Sequence, residues 1–285
     1  MRAASELRHD MAWMVARREI MPDSWKLMEA IAGTASRRIE VIGLGGIPEI
    51  RPGDDLAALT LDACDREEIE PADGDVFVFT QKVVSKSEGR IVSLTGVEPS
   101  ALALRFGEES GRDPRLVELV LQEARRVVRM DRGILVTETR HGLVCANSGV
   151  DASNVEEEDA VCLLPEDSDL SAERIRTALT ERAGKSLAVL VTDTFGRPWR
   201  EGQVNVAIGI AGMEPIHDHR GLVDPRGRKL LVSEIAVADE IAGAAELVMG
   251  KLERVPVALV RGYPFEPGDG GIRRLLRARE QDLFR

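Results

Sequence analysis

The chain reads as a mixed α/β protein of the α+β kind, with mixed sheets, flanking helices and neither a P-loop nor a Rossmann core. Three observations point there. Short apolar runs bounded by turn residues recur at Val76–Thr80, Leu187–Val191 and Val255–Val260, the pattern of buried strands. Apolar residues at helical spacing mark Glu118–Arg129, Leu170–Arg182 and Ser233–Met249. Strands and helices do not alternate strictly, which argues against a doubly wound sheet.

Taken in order, residues 1–38 form an N-terminal extension. It holds five of the eight methionines, with Leu7, Met11, Met14 and Val15 at helical spacing. A helix is expected there, either a surface addition or a dimer contact. Residues 39–285 form the main domain, built as one unit or as two lobes. Ile39–Leu44 is a strand, and a helix follows over Asp55–Cys64. Asp73-Gly74 is the turn before the strand Val76–Thr80, which runs on into QKVVSKSEG. Glu118–Arg129 is an amphipathic helix. Ile134–Thr137 and Leu143–Ala146 pair around Arg140-His141-Gly142. The helix Leu170–Arg182 has Ser171 near its start. The strand Leu187–Val191 opens into a Gly/Pro loop, and Val206–Ile210 is the next strand. Lys229–Val232 closes a hairpin over the turn Asp224-Pro225-Arg226-Gly227. Ser233 caps an Ala-rich helix that Gly250 stops.

Composition narrows the class of function. At 285 residues and 44% apolar content the chain can bury a real core. A net charge of −11 without a basic stripe excludes a nucleic-acid partner. No apolar run approaches the roughly 18 residues of a membrane span, so no membrane partner is expected. Cys64, Cys145 and Cys162 match no metal or redox spacing, and reduced thiols in the cytoplasm are expected.

Two stretches imitate nucleotide motifs. Gly184-Lys185-Ser186 resembles the end of a P-loop, but Leu179 stands at the first glycine and the order is helix then strand. Gly43-Leu44-Gly45-Gly46 lacks the third glycine of a dinucleotide loop, because Pro48 stands there. His217-Asp218-His219 is better read as a surface hairpin than as a zinc site, with only four histidines in the chain.

Five constellations carry candidate chemistry. In VTDTFGRPWREGQVN an acid, Asp193, and a hydroxyl, Thr194, stand at a strand tip before Arg197 and Arg200. Carboxylates with hydroxyls suit Mg²⁺ or Mn²⁺, and paired guanidinium groups suit a carboxylate or a phosphodiester. Trp199 either stacks on a flat ring or packs the loop. NSGVDASN supplies oxygen donors around Asp151, although an ordinary Asx/Ser turn has the same composition. Lys82 and Lys86, two of only six lysines, lie four apart with Ser85 between them. They serve equally as a solvated edge or as phosphate-neutralising cations. The loop Ile47-Pro48-Glu49-Ile50 and the helix end Met249-Gly250-Lys251 either hold a nucleotide or simply connect elements.

Together GIPEIRPGDDL, DGDVFVFTQKVVSKSEGR, NSGVDASNV, VTDTFGRPWREGQVNVAIG, AVADEIAGAAELVMGK and PVALVRG occur in this order, and over about residues 40–285 the chain resembles the coenzyme F420-0:L-glutamate ligases. The resemblance implies a GTP-dependent amide ligase that joins L-glutamate to the terminal carboxylate of the deazaflavin precursor F420-0, then extends the γ-linked chain on F420-1. It implies a homodimer and a divalent ion, Mg²⁺ or Mn²⁺, with GTP as cosubstrate and K⁺ as a further candidate ion. By motif, Asp151, Asp193 and Thr194 would be metal ligands and Asn154 would touch GTP. Ile47, Pro48, Glu49 and Ile50 would line the nucleotide site, with Lys82, Ser85 and Lys86 near phosphates. The segment from Val248 to about Val255, including Met249, Gly250 and Lys251, would form another wall. Lys251 stands near a point where some members place an oxygen donor. Asp193, Arg197 and Arg200 are the expected catalytic groups. The rival readings are a ligase for another carboxylic acid and a GTP-binding regulator without catalysis.

Overall fold

The computed structural model describes residues 37–152 and 159–282. Residues from Glu40 onward pack as one unit. The helix expected within residues 1–38 falls outside the described residues.

Strand β1 (Glu40–Leu44) leads through a loop to helix α1 (Leu56–Arg66), whose first turn is closed by the Asp55 carboxylate accepting from Ala58 N. Strand β2 (Val76–Thr80) passes directly into helix α2 (Gln81–Ser87). QKVVSKS is therefore helical, and the strand does not run on into it. Strand β3 (Ile91–Ser93) precedes helices α3 (Ala101–Ser110) and α4 (Pro114–Glu123).

The helix expected over Glu118–Arg129 is only half right. Helix α4 stops at Glu123, and Ala124–Asp131 is strand β4. Adjacent β-branched Val127 and Val128 favour extended backbone. The strand gains a cross-strand partner, Arg126 Nε donating to the buried Glu138 carboxylate at 2.7 Å. Strands β5 (Ile134–Thr139) and β6 (Val144–Ala146) then turn at Arg140-His141-Gly142 as expected, and β4, β5 and β6 form one antiparallel sheet.

Strand β7 (Ala160–Cys162) pairs with β3. Helix α5 (Ser168–Ala183) begins two residues before the expected start, because Asp167 supplies the cap to Leu170 N. The Gly/Pro loop expected after Val191 is instead a long hairpin. Strand β8 (Ala188–Arg197) turns at Pro198-Trp199 into strand β9 (Arg200–Ala211). The apolar register of Leu187–Val191 is simply continued by cross-strand pairing that polar residues do not interrupt.

Strands β10 (His217–Asp218) and β11 (Glu234–Ile235) form a small ribbon, with the His217 and His219 rings stacked at 4.1 Å. Between them Asp224 N–H donates to Arg228 O at 2.8 Å, closing the expected hairpin turn. Ser233 is not a helix cap. It precedes β11, and helix α6 starts at Val237 because the preceding residues are committed to strand pairing. Helix α6 (Val237–Met249) ends at Gly250, whose φ of +60° suits a residue without a Cβ. Strand β12 (Val257–Arg261) is the last.

The main sheet runs β1-β12-β2-β8-β9, and only β2 and β8 are parallel within it. Successive residues of β2 serve two cores. Phe77 and Phe79 pack with Leu56, Ile175 and Leu179 on the α1/α5 side, and Val76 and Val78 pack with Ala238, Ile241 and Met249 on the α6 side. A sheet covered on both faces explains why these strands are continuously apolar. A β-bulge interrupts β8/β9: Val191 faces Gly209, but Thr192 faces Ala207. The buried Asp75 ties β12 to the start of β2, accepting from Arg261 Nε and Nη2 at 2.8 and 2.6 Å.

Candidate active site

The parallel pairing of β2 and β8 brings two chain segments to one end of the sheet, with Thr80 opposite Thr192. The ends of parallel strands are where α/β proteins collect ligand groups. From β2 the chain enters α2, whose i, i+4 spacing sets Lys82 and Lys86 on one helix face. From β8 the next residues are Asp193 and Thr194.

Lys82 Nζ lies 2.8 Å from the Asp151 carboxylate. Asp151 is held in place by a two-way backbone bridge to Cys162, beside α2. Lys86, buried apart from its tip, is paired with Glu49. Ser85 is fully buried and donates to Gln81 Oε1 at 2.9 Å. Asp193 completes this side. Burial pushes its carboxyl up to about 6, the Asp151 charge adds to the rise, and the Thr194 N–H, Lys251 and Lys82 oppose it.

Adjacent strand residues face opposite sides of a sheet, so Thr194 turns toward α6. Its hydroxyl donates to Asn205 Oδ1 at 2.8 Å, its cross-strand partner in the hairpin. Asn205 Nδ2 donates to Glu246 Oε2 at 2.8 Å, and Lys251 reaches the Thr194 hydroxyl oxygen while lying 3.6 Å from Glu246. The expected ligands Asp151, Asp193 and Thr194 thus divide into a carboxylate pair on one side of the strand and a hydroxyl on the other. Asn205 and Glu246 were missed by sequence reasoning. Asn205 stands out only once the hairpin register is known, and Glu246 is one of three acids in an Ala-rich helix.

The remaining expected residues separate. Ile47 and Ile50 pack into the α1/α5 core, whereas Pro48 and Glu49 are exposed. Met249 is buried in the α6 core, and Gly250 ends the helix that delivers Lys251. Asn154 lies outside the described residues. Arg197 and Arg200 stand at the hairpin tip, four or more residues and so about 13 Å along β8 from Asp193. Arg197 donates to Glu201 O, and its Nε is buried without a partner. Trp199, at the hairpin turn, is 79% exposed.

The donor set fits a hard cation. Among the described residues no three His, Cys, Asp or Glu side chains cluster as a metal site. The carboxylates of Asp151 and Asp193, on one side of the strand, leave room for water and phosphate oxygens, which is how Mg²⁺ and Mn²⁺ are usually held. A cation would also offset the burial and the Asp151 charge that raise Asp193. The three cysteines are free and buried, and burial lifts Cys145 to about 12, far from a reactive thiolate. A cavity of about 720 Å³ between the start of α5, β9 and the C-terminal segment, lined by Arg140, Ser168, Asp169 and Arg273 among others, contains none of these groups. The convergent charges at the strand ends, and not cavity size, locate the candidate site.

The raised Asp193 value has a consequence for the cation-free protein. The neutral acid is favoured in the fold, so its contribution to stability is complete below the ordinary 3.8 and is lost as pH rises through about 6. The thermal midpoint should fall over this window, and Asp193→Asn should remove that part of the fall. Identical pH profiles for the two proteins by calorimetry would contradict the assignment.

Comparison with known proteins places the chain among ligases. Residues 45–262 match the F420-0:Gamma-glutamyl ligase family, and the chain belongs to that family. It is 48% identical over 250 residues to the coenzyme F420:L-glutamate ligase of Methanothermobacter thermautotrophicus, covering 87% of this chain and 99% of that protein. The protein of the same description from Methanopyrus kandleri is 43% identical over 260 residues, covering 90% of this chain and all of that one. That from Methanocaldococcus jannaschii is 39% identical over 250 residues, covering 87% and 98%. Among the described residues no helix is long and apolar enough to cross a membrane.

Proposed function

We propose that the protein ligates L-glutamate to the terminal carboxylate of F420-0, and to the γ-carboxylate of the product, at the expense of GTP. The observation that carries this reading is the meeting of Lys82, Lys86, Asp151 and Asp193 at the ends of β2 and β8. Such a group suits a triphosphate with its divalent ion. The relatives' full-length similarity supports the substrate class.

A carboxylate forms an amide only after one oxygen becomes a leaving group. The γ-phosphoryl of GTP passes to that oxygen, giving an acyl phosphate and GDP. The glutamate amine then attacks the acyl carbon, loses a proton and expels phosphate. Phosphoryl transfer of this kind depends on positioning and charge neutralisation. Lys82 and Lys86 would exchange their carboxylate partners for phosphate oxygens. Asp151 and Asp193 would hold Mg²⁺ or Mn²⁺, which supplies charge neutralisation at the triphosphate. Arg197 and Arg200 would engage the acidic substrate from the hairpin tip. A homodimer acting in the cytoplasm belongs to the same reading, and sedimentation velocity tests the assembly.

Mass spectrometry of F420-0 incubated with protein, glutamate, Mn²⁺ and GTP should show products heavier by successive glutamyl units, with GDP released. Product formed equally well with ATP would overturn the base preference. GTP bound without phosphate release to any carboxylate would instead indicate a regulator. Lys86→Ala should weaken GTP binding by about 10- to 100-fold, the scale of one charge-assisted hydrogen bond. Unchanged affinity by calorimetry would remove Lys86 from the phosphate site.

A further inference from the structure

We propose that Trp199 holds the flat deazaflavin ring of F420-0 while the far end of the same molecule, its terminal carboxylate, is activated at the Asp193 end of the hairpin. The inference rests on the substrate reading proposed above and assigns the part of the protein that recognises the ring.

The backbone at the tip gives the first reason. Arg197 pairs with Arg200, so Pro198 and Trp199 are the two central residues of the β8/β9 turn. Proline stands at the first of them, and the second has a φ of +56°. A positive φ after a turn proline is ordinarily a glycine position. A bulky ring there carries a backbone cost. Burial does not offset it, because Trp199 is 79% exposed.

The neighbouring charges give the second. Arg197 and Arg200 flank the turn in a chain whose net charge is −11. Alternate residues share one face of a strand, so Asp193, Phe195 and Arg197 lie on the same side of β8, and Arg200 stands across the ladder from Arg197. Phe195 packs against the α1/α5 core on that side. A pair of guanidinium groups therefore lies between Trp199 and Asp193, where a phosphodiester would meet them.

Length gives the third. From Asp193 to Arg197 the strand spans about 13 Å, with the turn just beyond. In F420-0 about ten bonds, those of the phosphodiester included, join the ring to the terminal carboxylate, and ten bonds extend to about 12 Å. Carboxylate, phosphodiester and ring thus reach the Asp193 end, the arginines and Trp199 in the order in which they occur along the molecule.

Steady-state ligation by the full chain, with KM measured separately for F420-0 and for GTP, provides the readout. Thermal melts and sedimentation velocity are recorded in parallel. Trp199→Ala and Trp199→Gly should each raise KM for F420-0 about tenfold, the scale of one aromatic stacking contact, with KM for GTP within about twofold of the parent. Trp199→Phe keeps a ring and should stay within about threefold of the parent for F420-0. Trp199→Gly suits the turn and should melt no lower than the parent, so weaker recognition without lost stability separates a binding role from a folding one. Unchanged KM for F420-0 in Trp199→Ala and Trp199→Gly would overturn the proposal. So would Trp199→Phe being as impaired as Trp199→Ala. An equal rise in KM for GTP would assign Trp199 to guanine, and dissociation of a dimer together with the rise would assign it to a subunit interface; either result overturns the proposal. Absence of glutamylation by the parent would instead overturn the substrate reading.

Discussion

Asp193→Asn should reduce glutamate ligation by on the order of a thousandfold while leaving the fold intact. The size follows from removing one group that organises charge at a water-poor reaction centre. The carboxylate stands on β8 one residue past its parallel pairing with β2, within reach of the charges of Asp151, Lys251 and Lys82. Asparagine keeps the shape and an acceptor oxygen, but it supplies no charge to a divalent ion. The fold should tolerate the change, because the ionised acid is itself disfavoured by burial in the cation-free protein. Steady-state ligation rates and a thermal melt check both halves. Activity within tenfold of the parent would mean that Asp193 holds no catalytic ion.

Gly209→Ala should have the largest effect on stability, a loss of about 3 kcal/mol. The bulge leaves Ile208 as the extra residue of β9, between Ala207 opposite Thr192 and Gly209 opposite Val191. Ile208 fills the α1/α5 core, and a Cβ on Gly209 would overlap the Ser168 carbonyl oxygen and lie 2.5 Å from its carbonyl carbon. The obstruction is backbone at the start of α5, which cannot rotate away as a side chain can. The gain from stiffening the unfolded chain, about 0.4–1 kcal/mol, offsets only part of this. An unchanged urea midpoint would show that α5 can shift without cost.

The central strands were legible because burial on both faces leaves a continuous apolar run, as in VFVFT and LAVLV. The helix stop at Gly250 was legible for a local reason too, since its backbone angle favours glycine. What failed depended on partners distant in sequence. The α4 periodicity runs past Glu123, yet pairing with β5 captures Ala124–Asp131. The hairpin arms beyond Val191 are polar on a strand that continues only because its neighbour does. The acids and lysines of the candidate site were individually visible, but their division between two sides of β8 was not. That division requires the strand assignment of Asp193 and Thr194. Asn205 and Glu246 lie inside VTDTFGRPWREGQVN and AVADEIAGAAELVMGK but carry no signal of their own, and only the packing of α6 against β9 brings them together.

The order of strands in the main sheet also bears on how the protein is made. Strand β12 lies between β1 and β2, although it is the last strand in the chain. On a ribosome, β1 and β2 emerge early with no direct pairing available to each other. They wait until residues near 260 have cleared the exit tunnel before the sheet can close. Long-range pairing of this kind folds slowly and leaves apolar strands unprotected in the interim. Nascent chains stalled before Val257 should therefore lack the protease resistance of the finished protein, and the burden on chaperones should persist until β12 has emerged.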